Sequence, residues 1–247
     1  MKKIAFIPAR YAATRFPFKL MQPLGSKTVI RHTYDNTKAT GLFDDVIVVT
    51  DSEIILNEIN NHGGKAIMSD ASHESGSDRI AEAVKSIEVD IVVNVQGDEP
   101  FVDADTLSKI LQAFDDEKVQ VASVMKVFKE ESLIQNPNFV KVVVDNLNNS
   151  LFFSRSPIPY KRDDTINPSY YEHIGVYAFR KSALLQFTQW PMSNLEAIEK
   201  IECLRYLENG IPLKMVLTDF AGVKIDVPED LTIAEDYLQK LVKGNQG

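Results

Sequence analysis

The chain has 247 residues, of which 27 are Lys or Arg and 35 are Asp or Glu, so its net charge at pH 7 is −8. This acidic balance argues against nonspecific binding to nucleic acid or to an anionic membrane, because phosphate-rich surfaces attract a broad basic face. The apolar run "IAFI" is too short for a signal peptide, and no run approaches the roughly 18 apolar residues of a membrane span. Cys203 is the single cysteine, so no intrachain disulfide is possible, and we expect a cytoplasmic protein.

The first half of the chain alternates between strand and helix patterns. Short apolar runs predict buried strands at "IAFIP" (4–8), "DVIVVTD" (45–51), "KAIMS" (65–69) and "DIVVNVQ" (90–96). Helical patterns follow them in "TVIRHTYDNTKATG", "SEIILNEINNHGG", "GSDRIAEAVKSI" and "DADTLSKILQAFDDE". Strand and helix repeated four times predict an α/β fold, a Rossmann-like, mostly parallel sheet with helices on both faces.

The pattern changes after about residue 119. The runs "VASVMKVF", "FVKVVVD", "LFFSRSPIP" and "HIGVYAFR" predict strands that are joined by turns rather than by full helices. Helices are predicted at about 181–189 and 195–209, followed by the strand "LKMVLT" and a terminal helix from about 229. We therefore predict a single domain over 1–247, with an inserted antiparallel β region at about 119–180.

Positive charge is concentrated at the start of the chain. The first 34 residues hold seven Lys or Arg and no acid, and "IPARYAATRFPFK" (7–19) places Arg10, Arg15 and Lys19 on the loop after the first strand. Cations at these intervals can each reach a different oxygen of a polyphosphate. The alternative is a solvated basic loop. The chain has neither GxGxxG nor a Walker loop, so a nicotinamide or flavin site has little support.

Two aspartates are candidate ligands of Mg²⁺. Asp98 in "NVQGDEP" ends a predicted buried strand, where ligands of parallel sheets bind, although aspartate there is also common in plain turns. Its neighbour Glu99 is expected to face elsewhere. Asp226 in "VKIDVPEDL" precedes a helix that starts with proline, and the local pattern fits a helix start equally well.

The segment "HESGSDRIAEAV" is a third candidate. Ser77 and Arg79 lie at the start of a predicted helix, where free backbone N–H groups bind anions or the carbonyl groups of a base. A helix cap followed by a solvated arginine explains the same residues without any function.

The motifs in this order resemble those of the CMP-Kdo synthetase (3-deoxy-manno-octulosonate cytidylyltransferase) family. The resemblance covers nearly the whole chain and rests on eight segments, namely "IPARYAATRFPFK", "HESGSDR", "NVQGDEP", "FVKVVVD", "LFFSRSPIP", "HIGVYAFR", "LEAIEKIECLR" and "IDVPEDL". It implies a fold of the nucleotide-diphospho-sugar transferase type and a homodimer. It also implies transfer of CMP from CTP to the anomeric hydroxyl of Kdo, with release of pyrophosphate, for lipopolysaccharide biosynthesis.

The resemblance also implies roles for individual residues. Arg10, Arg15 and Lys19 would bind the triphosphate, with Asp98 and Asp226 holding Mg²⁺. Ser77 and Arg79 would lie near the base and ribose. The residues implied for the sugar-acid pocket are Gln96, Arg155, His173, Tyr177, Glu202 and Cys203, with Arg155 a candidate for the sugar carboxylate.

The chain departs from the family pattern at three positions. Phe18 replaces a glycine and Leu20 a proline in the first loop; Phe18 is expected to alter the approach of the loop to phosphates or to require a negative φ. Cys203 stands where the family usually has glutamine, which makes 8-amino-Kdo an alternative acceptor. A sialic acid is a further alternative, and so is a nucleotide-binding protein without catalysis.

Overall fold

The computed structural model describes residues 1–12, 16–73, 75–220 and 222–244. The chain folds into two compact units, the first made of Met1–Ala104 and Ala221–Gly247 and the second of Asp105–Phe220. The insertion predicted at about 119–180 lies inside this longer second unit. The single-domain organisation stays a prediction.

Strands and helices follow the predicted order along the chain. The strands are β1 (Lys3–Ala9), β2 (Pro23–Leu24), β3 (Lys27–Thr28), β4 (Asp45–Thr50), β5 (Ala66–Met68), β6 (Ile91–Asn94), β7 (Val121–Val127), β8 (Lys141–Val144), β9 (Ser150–Ser154), β10 (Tyr171–Arg180) and β11 (Lys214–Leu217). The helices are α1 (Val29–Ala39), α2 (Glu53–Asn60), α3 (Gly76–Val84), α4 (Ala104–Gln112), α5 (Glu131–Ile134), α6 (Lys181–Phe187), α7 (Asn194–Glu199), α8 (Leu204–Glu208) and α9 (Pro228–Gly244). Short 3-10 turns lie at Lys19–Met21 and Ala113–Asp115.

The first unit contains four parallel strands. β1 pairs with β4 on one side and β6 on the other, and β4 pairs with β5, so the order is β5–β4–β1–β6. Residues 4–7, 46–49 and 91–93 are at most 4% exposed. Burial on both faces of a parallel sheet explains why these strands appear in the sequence as unbroken apolar runs. Their carboxyl ends, where the polar loops begin, lie at one edge of the sheet.

The second unit is mainly antiparallel. β10 pairs in antiparallel fashion with β7 and, through Tyr171 and Glu172, with β8, which in turn pairs with β9. β11 adds to β7 in parallel. The pairing of β10 with β7 shifts register between Ile174 and Tyr177, as at a β-bulge. Together the two units have the predicted fold class, a mostly parallel α/β sheet with an antiparallel region.

One helix prediction in the second unit is wrong. The continuous helix expected at 195–209 is two short helices, α7 and α8, because Lys200 adopts a left-handed conformation with φ 54°. The carbonyl groups of Glu199 and Lys200 accept hydrogen bonds from the Arg155 side chain at 2.6 and 3.3 Å. These tertiary contacts satisfy main-chain acceptors that a helix would otherwise use, so the chain turns here. In the parts of the chain that are described, no helix is long and apolar enough to cross a membrane.

Candidate active site

The first unit has a cavity of about 290 Å³ at the carboxyl ends of its strands. The cavity is lined by five of the residues predicted for the site, namely Arg10, Lys19, Arg79, Gln96 and Asp98. Arg10 is exposed and donates a hydrogen bond to the main-chain carbonyl of His73. Arg15, the remaining predicted cation of the first loop, lies outside the described residues. The parallel sheet thus brings together groups that are far apart in sequence.

Lys19 links the two predicted metal ligands. Its ammonium nitrogen lies 2.6 Å from Asp98 Oδ2 and 3.1 Å from Asp226 Oδ1, and all three side chains are largely shielded from solvent. Burial by itself would lower the pKa of Lys19, but the attraction and hydrogen bonds of Asp98 and Asp226 outweigh it and raise the pKa. The lysine is therefore positively charged at neutral pH.

Backbone contacts hold the two aspartates together. The N–H group of Ile225 donates to the carbonyl of Asp98 at 3.0 Å, which ties the segment that carries Asp226 to the loop after β6. The N–H group of Asp226 donates to the Asp230 carboxylate at 2.8 Å, at the start of α9. Gly97 lets the loop pack closely, because a Cβ there would lie 3.0 Å from the carbonyl oxygen of Pro8.

The donor set fits a magnesium ion that is shared with phosphate groups. Carboxylate oxygens of Asp98 and Asp226 converge on the position of one cation, the Lys19 ammonium. No group of three or more His, Cys, Asp or Glu that could hold a metal occurs in the described parts of the chain. Mg²⁺ commonly takes one or two protein carboxylates and completes its shell with water and substrate phosphates.

Glu99 was expected to face away, yet it is close enough to this cluster to be affected by it. Burial raises the pKa of Glu99 to about 7, and the negative charges of Asp98 and Asp226 add to the effect, while Lys224 and Lys19 oppose it. The sequence pattern of alternating residues therefore missed an electrostatic neighbour of the metal ligands. Lys224, whose nitrogen lies 3.9 Å from Asp226 Oδ2, was missed as well.

The predicted base-binding residues lie at the start of α3. Ser75 caps this helix by accepting the N–H group of Asp78, and Ser77 in the first turn is buried. Arg79 is fully buried and pairs with Asp51, its Nη2 lying 2.9 Å from Asp51 Oδ2. Arg79 is therefore not the solvated arginine of the alternative interpretation.

Phe18 keeps the conformation that the family glycine would allow. Its φ is +59°, in the left-handed region, so the expectation of a negative φ is wrong. The ring is 46% exposed and lies against Tyr11, with 4.5 Å between the ring centroids. A bulky residue in the left-handed region costs about 1–2 kcal/mol of backbone strain, which this loop carries.

Four of the residues predicted for the sugar acid form a cluster in the second unit. The rings of His173 and Tyr177 lie 5.5 Å apart on β10, and the hydroxyl of Tyr177 is hydrogen-bonded to the Cys203 thiol. Glu202 adds a negative charge near both of these groups. Gln96, the fifth residue predicted for this pocket, belongs to the first unit.

Burial keeps three members of this cluster, His173, Tyr177 and Cys203, uncharged. It lowers the pKa of His173 to about 3 and raises the pKa values of Tyr177 and Cys203 well above their usual ranges. His173 shares a hydrogen bond of 2.9 Å with Ser123. The side chains can thus exchange neutral hydrogen bonds with a ligand rich in hydroxyl groups.

Arg155, the remaining residue of that prediction, makes mainly structural contacts. Its guanidinium donates to the carbonyl groups of Pro137, Glu199 and Lys200 at 2.8, 2.6 and 3.3 Å. Its main-chain N–H group donates to the Glu199 carboxylate at 2.9 Å. Of the five N–H groups that a guanidinium carries, three are used in these contacts. Its role toward a sugar carboxylate stays a prediction.

A mostly parallel sheet with cations and two aspartates at its strand ends is typical of enzymes that handle nucleoside triphosphates. The sequence profile of the cytidylyltransferase family matches residues 4–220. A 3-deoxy-manno-octulosonate cytidylyltransferase of Flavobacterium johnsoniae is 57% identical over 244 residues, which cover 98% of this chain and 100% of the relative. One of Bacteroides thetaiotaomicron is 42% identical over 97% of this chain and 99% of its own length.

A solved structure agrees with these relatives. CMP:2-keto-3-deoxy-manno-octonic acid synthetase in complex with CTP matches with a TM-score of 0.93 and 34% identity, over 97% of this chain and 99% of the other. The chain belongs to the cytidylyltransferase family and, within it, to the 3-deoxy-manno-octulosonate cytidylyltransferases. The family predicted from the sequence motifs is confirmed.

Proposed function

We propose that this protein transfers CMP from CTP to the anomeric hydroxyl of 3-deoxy-manno-octulosonate. In the reaction the hydroxyl oxygen attacks the α-phosphorus, a new O–P bond forms, the bond from the α-phosphorus to the leaving phosphate breaks, and the hydroxyl proton passes to solvent. The products are CMP-Kdo and pyrophosphate. The cluster of Lys19, Asp98 and Asp226, of which Lys19 and Asp98 line the cavity of the first unit, is the observation that carries the proposal.

The cations of the first unit suit the charge changes of this reaction. Negative charge builds up on the leaving pyrophosphate, and a fixed positive charge nearby stabilises that change. Lys19 is charged, and Arg10 lines the same cavity. Positioning and charge neutralisation do most of the work in phosphoryl-type transfer, so no Ser-His-Asp or Cys-His set is required.

We propose Mg²⁺ as the metal, with Asp98 and Asp226 as its protein ligands. A bound Mg²⁺ would withdraw charge from the phosphates and lower the pKa of the attacking hydroxyl. Lys19 places one positive charge between the two carboxylates, which offsets part of their mutual repulsion. When CTP binds, we expect Lys19 to turn toward the phosphates and leave both carboxylates to the metal.

The cluster of His173, Tyr177, Glu202 and Cys203 is proposed to bind the sugar acid. The uncharged hydrogen-bonding groups of His173, Tyr177 and Cys203 suit hydroxyl groups, and Arg155 is proposed to contribute positive charge for the sugar carboxylate. A donor or acceptor that is left without a partner in such a site costs binding energy, which is how similar sugars are distinguished.

The decisive experiment measures pyrophosphate release from CTP by the purified protein with Kdo, with and without Mg²⁺. We expect release with CTP and Kdo together and a loss of at least a hundredfold when Mg²⁺ is removed by EDTA. CTP binding without pyrophosphate release with Kdo, 8-amino-Kdo or sialic acid would indicate a nucleotide-binding protein instead.

A second acceptor is favoured by Cys203. This thiol is hydrogen-bonded to Tyr177 and stands at a position where the family usually has an amide, so the groups presented to the sugar differ. We propose 8-amino-Kdo as the alternative substrate. A ratio of kcat/KM that favours 8-amino-Kdo over Kdo would support it, and equal or better use of Kdo would exclude it.

We also propose a homodimer that forms through the second unit, and a cytoplasmic location where CTP is available. Leu147, Leu151, Tyr160 and Ile166 in this unit are large apolar side chains that are 61–85% exposed, so they are available for such a contact. Leu151→Glu should shift the mass measured by light scattering toward the monomer. Ile54→Glu, at a residue of the first unit that is 50% exposed, should leave the dimer intact.

A further inference from the structure

Arg79 is the least exposed charged side chain among the residues that line the cavity. It is paired with Asp51, a residue that has no role in the function proposed above. Arg79 is 0% exposed, yet it is one of the residues that line the cavity. It donates to Asp51 Oδ2 at 2.9 Å and to the hydroxyl of Ser69. Its Nε has no hydrogen-bond partner among the residues that the structure describes, so Asp51 and Ser69 are the side chains that orient the group.

Asp51 and its contacts bring together the segments that follow three strands, β1, β4 and β5. Asp51 directly follows β4, and Ser69 directly follows β5. The second carboxylate oxygen of Asp51 lies 3.5 Å from the main-chain nitrogen of Tyr11, at the start of the loop after β1. One carboxylate therefore contacts both Arg79 of α3 and the loop that carries Arg10 and Lys19.

We infer that Asp51 is a positioning residue for the nucleotide. It orients Arg79 and restrains the beginning of the first loop. Arg79, predicted to lie near the base and ribose, is thereby held in a fixed position relative to the loop predicted to bind the triphosphate. This inference rests on the proposed function, because it presupposes that the cavity binds CTP. A charged side chain buried with one partner has few alternative orientations, because any other orientation leaves both charges unpaired in a poorly solvated place.

The alternative is that Asp51 and Arg79 form an ion pair that serves folding alone. The two roles predict different measurements. Loss of a folding contact lowers the melting temperature and leaves the affinity of the folded protein for CTP nearly unchanged. Loss of a positioning contact raises the Kd and KM for CTP, while kcat changes much less.

The test compares CTP binding by Asp51→Asn with that by the wild type, using calorimetry well below the melting temperature of each. We expect the Kd for CTP to rise by about tenfold or more, and the KM for CTP to rise in parallel, while kcat falls less than threefold. Ser69→Ala, which removes the uncharged partner of Arg79, should raise the Kd by about threefold. Asp35→Asn is the matched control, because Asp35 also pairs with a lysine of the first unit, Lys27, at 2.7 Å.

A Kd for Asp51→Asn within twofold of the wild type overturns the inference and leaves the proposed function intact. A wild type that does not bind CTP overturns both. If Asp51→Asn does not fold, Asp51→Glu replaces it, since this variant keeps the charge and moves it by one methylene group. A Kd raised fivefold or more in Asp51→Glu then supports a positioning role, and an unchanged Kd contradicts it.

Discussion

The two units prepare their side chains for binding in opposite ways. In the first unit, acids and bases are paired: Lys19 contacts two aspartates, Arg79 contacts Asp51, and the pKa of Lys19 is raised. In the second unit, burial lowers the pKa of His173 to about 3 and keeps the hydroxyl of Tyr177 protonated. Lys19 stays charged beside its carboxylate partners, whereas His173 and Tyr177 stay neutral.

The difference follows from what surrounds each group. A buried ionisable side chain stays charged when an opposite charge lies within hydrogen-bonding distance, and it becomes neutral when only apolar rings and hydroxyl groups surround it. Lys19 has two carboxylates within 3.1 Å. His173 instead lies between the rings of Phe153 and Tyr177, at 4.8 and 5.5 Å, with a serine hydroxyl as its partner. Charged pairs suit a triphosphate, and neutral donors suit a sugar.

The largest effect is expected from removing one charge of the first unit. Asp98→Asn should lower the rate of pyrophosphate release by about a thousandfold, because the proposed Mg²⁺ would lose one of its two carboxylate ligands. The melting temperature should change little, since Lys19 keeps Asp226 as a partner at 3.1 Å. Asp105→Asn, on the exposed pair with Lys109, is the control and should be fully active. Normal turnover of Asp98→Asn would remove Asp98 from the metal site.

The neutral state of the buried groups around His173 and Tyr177 can be tested through the neighbouring thiol of Cys203. Burial raises the pKa of Cys203, which leaves little thiolate to react with a disulfide reagent. In the folded protein at pH 8 we expect labelling to be at least about a hundredfold slower than in urea. Because the chain has one cysteine, the labelled fraction reports Cys203 alone. Equal rates in both conditions would show an accessible, ionisable thiol and would weaken the contrast between the units.

The pairing of Lys19 can be tested without nucleotide. Lys19→Met removes the cation that lies between Asp98 and Asp226, so the two carboxylates should attract a free divalent ion more strongly. We expect the Kd for Mn²⁺, followed by electron paramagnetic resonance, to fall by about tenfold relative to the wild type. Lys224→Met, whose charge is 3.9 Å from Asp226, should change it less than threefold. Equal Mn²⁺ affinities of the wild type and Lys19→Met would argue against a shared cation position.

A further effect concerns the pH dependence of stability. The pKa of His173 is about 3 in the folded protein and 6.5 when it is unperturbed, so the unfolded chain binds the proton more readily. Its contribution to stability is complete above pH 6.5 and is lost as the pH falls toward 3, about 2 kcal/mol of it between pH 7 and 5. His173→Gln cannot take up this proton and should lose less stability in urea titrations over that range. Equal losses in both proteins would show that His173 is not kept neutral by its surroundings.

Several features of the fold and the site could be predicted from local sequence. The runs at β1, β4 and β6 are apolar without interruption because both faces of a parallel sheet are buried, and their positions were predicted correctly. The loop after β1 and Asp98 were placed at the strand ends by the same reasoning, and both line the cavity. The break at Lys200 was missed, because it depends on hydrogen bonds from Arg155, which is 45 residues away in sequence.

The sequence by itself determined most of the strands and helices, the family and the concentration of cations after β1, since each depends on residue type and spacing along a short segment. The tertiary structure decided which charges meet: Lys19 with Asp226, 207 residues apart, and Arg79 with Asp51, 28 residues apart. It also decided that His173 is neutral. Pairing and protonation depend on distances and burial between segments that only folding brings together, and residue order alone does not contain these quantities.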